Sequence, residues 1–236
     1  MFISIIIPAY NEESLIGATL DAINAAIASC KDQMTGHEVL VVNDASTDRT
    51  AEISRQHGAR VIDVQKRQIA AVRNAGAKAA HGDAFVFVDA DTLISPIVLH
   101  RALAALHEGA VGGGAAVRFD QNVSYVARTA MSLLVSAMCQ CRLAAGCFIY
   151  CRRDAFETVG GFDEQFFASE EIWISKALNR QGRFVMLRHP VTTSGRKIRM
   201  HGLVRLLWLS MCIGIKGPRG VQQREGLDLW YDGRRE

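Results

Sequence analysis

Four short apolar runs, at residues 3–7, 39–42, 60–64 and 84–88, divide the first 110 positions of the chain. Each is rich in β-branched or aromatic side chains, and the last, Ala-Phe-Val-Phe-Val, has no polar interruption. Such runs predict strands covered on both faces. The segments between them carry helical periodicity: Ile16, Leu20, Ile23 and Ile27 fall on one stripe. Strand and helix in alternation predict βαβ units, hence an α/β fold with a mostly parallel central sheet, a Rossmann-like three-layer α/β/α sandwich. Asn11 stands where it would cap the first helix, and Ser46, Thr47 and Asp48 offer caps for the second.

Beyond Gly109 the rhythm changes to a Gly-rich strand at 110–119, a long apolar helix at 123–145 and a short strand-like run at 147–150. No Pro/Ser-rich linker or internal repeat interrupts the chain, so a single domain over 1–236 is expected. Its second half, 111–220, elaborates the first, 1–110, and a charged tail occupies 221–236.

A chain of 236 residues that is 49% hydrophobic can fold around its own core without staples. Its net charge of +3 offers no concentrated basic stripe, which argues against nucleic acid as a partner. Among the six cysteines, Cys139, Cys141, Cys147 and Cys151 cluster without Cys-x-x-Cys spacing. The amino-terminal apolar stretch is short and has no basic lead, as expected for a buried strand and not for a leader. Buried thiols in a cytoplasmic protein are the resulting expectation. No stretch reaches the roughly 18–20 apolar residues of a membrane-spanning helix. Residues 203–215, with Trp208 inside and Arg205, Lys216 and Arg219 nearby, fit either a helix packed on the domain or one lying peripherally in a bilayer interface. A homo-oligomer stays open.

The candidate chemistry begins where the fourth run stops, at Asp89-Ala90-Asp91. Ligands of parallel sheets bind beyond the carboxyl ends of the strands. Two carboxylates there suit Mg²⁺ or Mn²⁺, which take oxygen ligands and share them with substrate phosphates. Taken alone, the same residues also serve as turn formers or helix caps. After the first run, residues 9–13 lack the Gly-x-Gly-x-x-Gly turn of dinucleotide enzymes, and the chain has no Gly-x-x-x-x-Gly-Lys-Ser/Thr phosphate loop. Asn43-Asp44 ends the second run, and Arg73-Asn74 lies on the helix before the fourth, so acidic loops and one arginine converge on one edge.

Six pieces in order, Pro8-Ala9-Tyr10-Asn11-Glu12, Asn43-Asp44-Ala45-Ser46-Thr47-Asp48, Ala71-Val72-Arg73-Asn74-Ala75-Gly76, Asp89-Ala90-Asp91, Gly160-Gly161-Phe162-Asp163-Glu164 and Glu170-Glu171, resemble the family 2 glycosyltransferases of the GT-A fold. The resemblance covers residues 2–190. It implies that Pro8, Ala9, Tyr10 and Glu12 line the nucleotide base and ribose, and that Asp44 accepts a hydrogen bond from the base, commonly uracil. Arg73 would help hold the nucleotide. Asp89 and Ala90 would meet the ribose or sugar, and Asp91, beside Asp89, would bind the Mg²⁺ or Mn²⁺ that bridges the diphosphate. Glu171, where the family usually has Asp, is the implied catalytic base, with Glu170 as the residue that shares the role. Gly146-Cys147-Phe148-Ile149-Tyr150 would floor the acceptor site. The cations of Thr192-Thr193-Ser194-Gly195-Arg196-Lys197 would reach the diphosphate, with His189 or His201 as a third metal ligand.

The expected activity is metal-dependent, inverting transfer of a sugar from a nucleotide-sugar donor, a UDP-sugar first, to a hydroxyl acceptor. The position would be cytoplasmic or peripheral to the inner face of the membrane. Two alternatives remain. A sugar-phosphate nucleotidyltransferase would carry a Gly-rich, basic loop after the first strand, where this chain has Ala9-Tyr10-Asn11-Glu12-Glu13. A catalytically degenerate nucleotide- or lipid-binding scaffold at the membrane surface is motivated by Glu171 and by residues 203–215.

Overall fold

The computed structural model describes residues 1–120 and 125–202. In chain order the elements are β1 (Phe2–Ala9), α1 (Ile16–Ala28), β2 (Gly36–Asp44), α2 (Thr50–Gln56), β3 (Arg60–Val64), α3 (Ile69–Ala79), β4 (Ala84–Val88), β5 (Thr92–Leu93), α4 (Pro96–His107), β6 (Gly112–Phe119), α5 (Tyr125–Gln140), β7 (Phe148–Arg152), α6 (Arg153–Thr158), α7 (Glu170–Gln181), β8 (Phe184–Thr193) and α8 (Arg196–His201). The described strands form one sheet in the order β3-β2-β1-β4-β7-β6-β8-β5. Both expected halves of the chain contribute to it.

Alternate residues of the central strands feed two cores. Ile3, Ile5 and Ile7 of β1, with Val86 and Val88 of β4, pack with Ile16, Leu20 and Ile23 of α1 and Val98 and Leu99 of α4. Ile6, Phe85 and Phe87 face the other way, onto Val72 of α3, Phe156 of α6 and Ile174 and Leu178 of α7. The unbroken apolar runs follow directly, since a strand between two helical layers has no wet face. Helix α3 lies unusually close: a Cβ on Gly76 would stand 2.4 Å from Ile6 Cγ2 and 2.8 Å from Val42 Cγ2. Glycine is the residue that permits this approach.

The topology gathers one edge. β1, β2, β3 and β4 are mutually parallel, so Ala9, Asp44, Val64 and Val88 end on the same side. β7 runs against β4 and β6 runs against β7, which points β6 and its parallel neighbour β8 the same way as β4. Thr193 therefore ends at that edge, and β7 begins there with Cys147 and Gly146 just before it. Helix α7 precedes β8 and runs counter to it, bringing Glu170 and Glu171 to the edge.

Several local expectations are corrected. Asn11 does not cap α1, which begins at Ile16 with Leu15 at the cap position and no side-chain cap. Instead Asn11 adopts φ 52° and staples two loops, its Oδ1 accepting the Thr47 N–H at 2.8 Å and its N–H donating to Ser46 Oγ at 3.0 Å. Ser46 and Thr47 are thereby used, and Asp48 alone of the three serves α2, accepting the Thr50 N–H at 2.9 Å. The long second-half helix is α5, which ends at Gln140, short of 145; position 123 lies outside the described residues. The cysteines among the described residues are free but not uniformly buried: Cys30 and Cys151 are inside, Cys139 and Cys147 half-buried, and Cys141 exposed. Among the described residues no helix is long and apolar enough to cross a membrane. Residues 203–215 and the tail lie outside the described residues.

Candidate active site

Two buried arginines organise the edge, one beside each aspartate of Asp89-Ala90-Asp91. Arg73, in the second turn of α3, is 2% exposed. Its Nη1 donates to Glu170 Oε1 at 2.7 Å, and its Nη2 donates to Asp89 Oδ1 and to the Gly146 carbonyl, each at 2.7 Å. The guanidinium also lies 5.2 Å from the centroid of the Phe162 ring. Burial opposes its charge, yet Asp89 and Glu170 hold its pKa above the ordinary arginine value. A desolvated guanidinium is tolerable only with such partners.

Arg196, just past the end of β8, is the second. Its Nη1 and Nη2 donate to Glu12 Oε2 and Oε1 at 3.0 and 2.7 Å, a two-point pair between residues 184 positions apart. Nη2 also stands 3.8 Å from Asp91 Oδ2. Asp91 further accepts from Thr193 Oγ1 at 3.4 Å, and its carbonyl accepts the Ser194 N–H at 3.2 Å.

The acid surplus falls on the Arg73 side. Glu170 is buried, while Glu171 is partly exposed. Burial, and then the neighbouring Glu170 carboxylate, push Glu171 up to about 8. Both glutamates open α7 behind Ser169, a non-glycine residue at φ 62°. Such backbone costs of order 1–3 kcal/mol and persists where surrounding contacts fix it. Those contacts are visible. Gln68 Nε2 donates to the carbonyls of Glu164 and Phe166 at 2.5 and 3.2 Å. Asn74 exchanges two bonds with the Phe162 backbone and donates to Glu164 Oε1 at 2.9 Å. Ser175 ties the loop before Gly146 to the same helix, accepting the Ala144 N–H at 3.1 Å and donating to the Glu171 carbonyl at 2.6 Å.

Gly146 lies between the two charges, since a Cβ built on it would be 3.5 Å from both Arg73 Nη2 and Glu171 Cδ. Cys147 is kept a thiol by burial and by the Asp89 and Asp91 carboxylates, which push its pKa well up.

Around the ends of β1 and β2, Pro8 and Ala9 are buried in the last two strand positions. Asp44 accepts the N–H groups of Lys66 and Arg67 at 2.6 and 2.8 Å, one on each carboxylate oxygen. This ties down the loop before α3 and brings the Arg67 guanidinium to 4.9 Å from the Tyr10 ring centroid, with Nη1 at 3.2 Å from the hydroxyl.

The structure thus brings Arg73, Asp89, Glu170 and Glu171 into one cluster, Glu12 and Asp91 into a second, and Tyr10 and Asp44 into a third. His189 stands apart: it is exposed in β8, four residues and roughly 13 Å along the strand from Thr193. The His201 side chain is outside what is described. Among the described residues no three His, Cys, Asp or Glu side chains converge as a metal cage. Asp89 and Asp91 are hard oxygen donors, 33% and 20% exposed. Two partly exposed carboxylates suit a cation that completes its shell with water and substrate phosphate, the ordinary habit of Mg²⁺.

Residues 4–161 match the description Glycosyl transferase family 2. The chain belongs to that family. A curated relative, glycosyltransferase AglE of Haloferax volcanii, is 26% identical over 209 residues, covering 80% of this chain and 65% of its own length. The structure of S. aureus TarS 1–349 in complex with UDP-GlcNAc matches this family 2 chain with a TM-score of 0.66 and 23% identity, over 83% of it and 59% of TarS 1–349. Mannosyltransferase PcManGT of Pyrobaculum calidifontis, in complex with GDP-Man and Mn²⁺, matches with a TM-score of 0.65 and 21% identity, over 90% and 64%. These likenesses establish the expected GT-A fold. The chain spans less than two thirds of each of these three proteins.

Sequence reasoning missed the partners. Gln68 and Ser175 were not singled out, Arg67 was not linked to Tyr10, and Arg196 was read as a diphosphate cation with no sign of Glu12. One signal was present for Arg196: a lone cation following a predicted strand end at an edge already rich in acid.

Proposed function

We propose that this family 2 chain transfers a sugar, with inversion, from a nucleotide-sugar donor to a hydroxyl acceptor. The observation that carries the reading is the meeting, at one sheet edge, of a paired-aspartate site with a separate carboxyl pushed up to about 8. A general base works best when its pKa lies near the working pH. Glu171 is the base: it takes the acceptor proton as the hydroxyl oxygen attacks the anomeric carbon and the bond to the nucleoside diphosphate breaks.

Tyr10, Arg67 and Asp44 hold the nucleotide base. Both Asp44 oxygens already accept a backbone N–H, but a carboxylate has about four acceptor positions, enough for a uracil N–H as well. Asp91, with Asp89, would hold Mg²⁺ or Mn²⁺, whose charge would stabilise the departing diphosphate. TarS with UDP-GlcNAc and PcManGT with GDP-Man and Mn²⁺ support a nucleotide-sugar donor and a divalent cation. A UDP-sugar is the first donor to try. The cationic, apolar carboxyl-terminal third of the chain favours an amphiphilic acceptor.

The test is release of UDP or GDP from a panel of nucleotide sugars, with Mn²⁺, with Mg²⁺ and with a chelator, in the wild type and in Asp91→Ala. Release that needs the cation and disappears in Asp91→Ala is expected. Full activity in Asp91→Ala would overturn the reading. Nucleotide binding with no turnover on any acceptor would leave the scaffold alternative in its place.

A further inference from the structure

The family pattern leaves two adjacent glutamates, either of which could take the acceptor proton, and the geometry separates them. Glu170 is 4% exposed and spends Oε1 on Arg73 Nη1 at 2.7 Å. The same guanidinium holds Asp89 at the donor edge and the Gly146 carbonyl at the start of β7. Arg73 thus fixes three segments relative to one another: the aspartate loop, the Gly146 loop and the first turn of α7. Glu171 is the carboxyl in that turn with exposed surface, lying over Gly146.

We propose that Glu170 is a positioning residue and not a second base: it acts through Arg73 to set the opening turn of α7 against Asp89 and Gly146, and its charge acts on Glu171. The inference rests on the glycosyltransferase reading. The groups facing Glu171 are Glu170 on its own helix, Arg73 from α3 and Asp89 after β4, with Glu170 and Asp89 raising its pKa and Arg73 lowering it. Removing the Glu170 charge therefore makes Glu171 a stronger acid in two ways, by deleting a like charge and by leaving Arg73 less neutralised.

The experiment compares Glu170→Gln, Glu170→Ala and Glu171→Gln. The first reading is the carboxyl carbon of Glu171 in protein labelled with ¹³C at the glutamate carboxyl, assigned by its loss in Glu171→Gln and titrated by NMR. Its midpoint is expected near the value of about 8 to which Glu171 is pushed in the wild type, and lower by about one pH unit or more in Glu170→Gln. An unchanged midpoint would overturn the proposal, whether or not the protein turns over any donor.

The second reading is the pH profile of turnover. Glutamine can still accept from Arg73, so Glu170→Gln is expected within about tenfold of the wild-type kcat at its own optimum, with the acidic limb moved to lower pH. Glu170→Ala loses the tether and is expected to drop kcat about 100-fold while the donor KM changes little. Should Glu170→Ala fail to fold, Glu170→Gln carries the test. If Glu170→Gln binds nucleotide but is as inactive as Glu171→Gln, Glu170 is a base and the inference fails. If the wild type itself releases no nucleotide, the glycosyltransferase reading fails, and the NMR midpoint still tests the coupling of Glu170 to Glu171.

Discussion

The two arginine clusters at the sheet edge are built from the same parts and balanced differently. Arg196 meets Glu12 in a two-point pair and touches Asp91 at longer range. Arg73 is shared among Asp89, Glu170 and a backbone carbonyl, with Glu171 beside it. One cluster is close to a matched pair, while the other has more acid than one guanidinium can neutralise. The difference shows where each kind of work is done. A matched buried pair fixes geometry. A surplus carboxyl stores a proton, as Glu171 does.

The variant that breaks the comparison most severely is Glu171→Gln. Loss of a general base costs typically 10²–10⁴-fold in turnover, and stabilisation by bound nucleotide should survive, because the proposed donor site at Asp89, Asp91, Tyr10 and Asp44 does not include Glu171. In the wild type, kcat/KM should rise with pH along an acidic limb near 8, the value to which Glu171 is pushed. A limb at ordinary carboxylate pH would remove Glu171 from the role.

Stability sharpens the contrast. Breaking a buried pair by removing one partner costs about 3–5 kcal/mol. Arg73→Met and Arg196→Met should both approach that range in denaturant melts. Glu12 is the partner that Arg196 meets at two points, so Glu12→Met with Arg196→Met should recover most of the loss in a double-mutant cycle. Arg73 spreads its hydrogen bonds over Glu170, Asp89 and the Gly146 carbonyl, so Glu170→Met should recover less of the loss from Arg73→Met. Equal recovery in the two cycles would erase the distinction.

A smaller effect is the slope of stability with pH. Because the folded pKa of Glu171 lies above the ordinary 4.5, the folded chain holds an extra proton between about 4.5 and about 8. Stability contributed by that group is full at the acid end and declines as pH rises through the window. Glu171→Gln should flatten this decline in urea midpoints measured across the range. Smallest of all, Arg67→Ala removes an exposed cation–π contact over Tyr10, worth about 0.5–1 kcal/mol, and should raise the donor KM by no more than several-fold with kcat unchanged.

The first half of the molecule was legible because its signals are local. Short runs rich in β-branched and aromatic residues marked β1 to β4, and the aspartates fall at strand ends where a parallel sheet places ligands. Helix starts were less legible: Asn11 has the residue type of a cap, but the nearby Ser46 and Thr47 offered it better partners across the loop. β8 was hidden because its buried positions do not follow a period of two, with Arg188 and His189 exposed in succession, and because it carries Pro190, which cannot donate to a ladder. Its pairing with β6 shifts register between Ala115 and Val117. In the site, the residue types were readable and their partners were not. Glu12 finds Arg196 184 positions away, and Arg73 finds Glu170 97 positions away. No periodicity encodes such distances, which arise only when the sheet brings strand ends together.

The most direct test of the central claim, a cation-dependent nucleotide site at Asp89-Ala90-Asp91 that is separable from the base, is thermal stabilisation by UDP and GDP with and without Mn²⁺. A ligand that binds only the folded chain must raise its apparent stability, by about 2.7 kcal/mol at 100 times its Kd. The account predicts a Mn²⁺-dependent rise of equal size in the wild type and in Glu171→Gln, and none in Asp91→Ala. No rise with either nucleotide in the wild type, or an undiminished rise in Asp91→Ala, would contradict it.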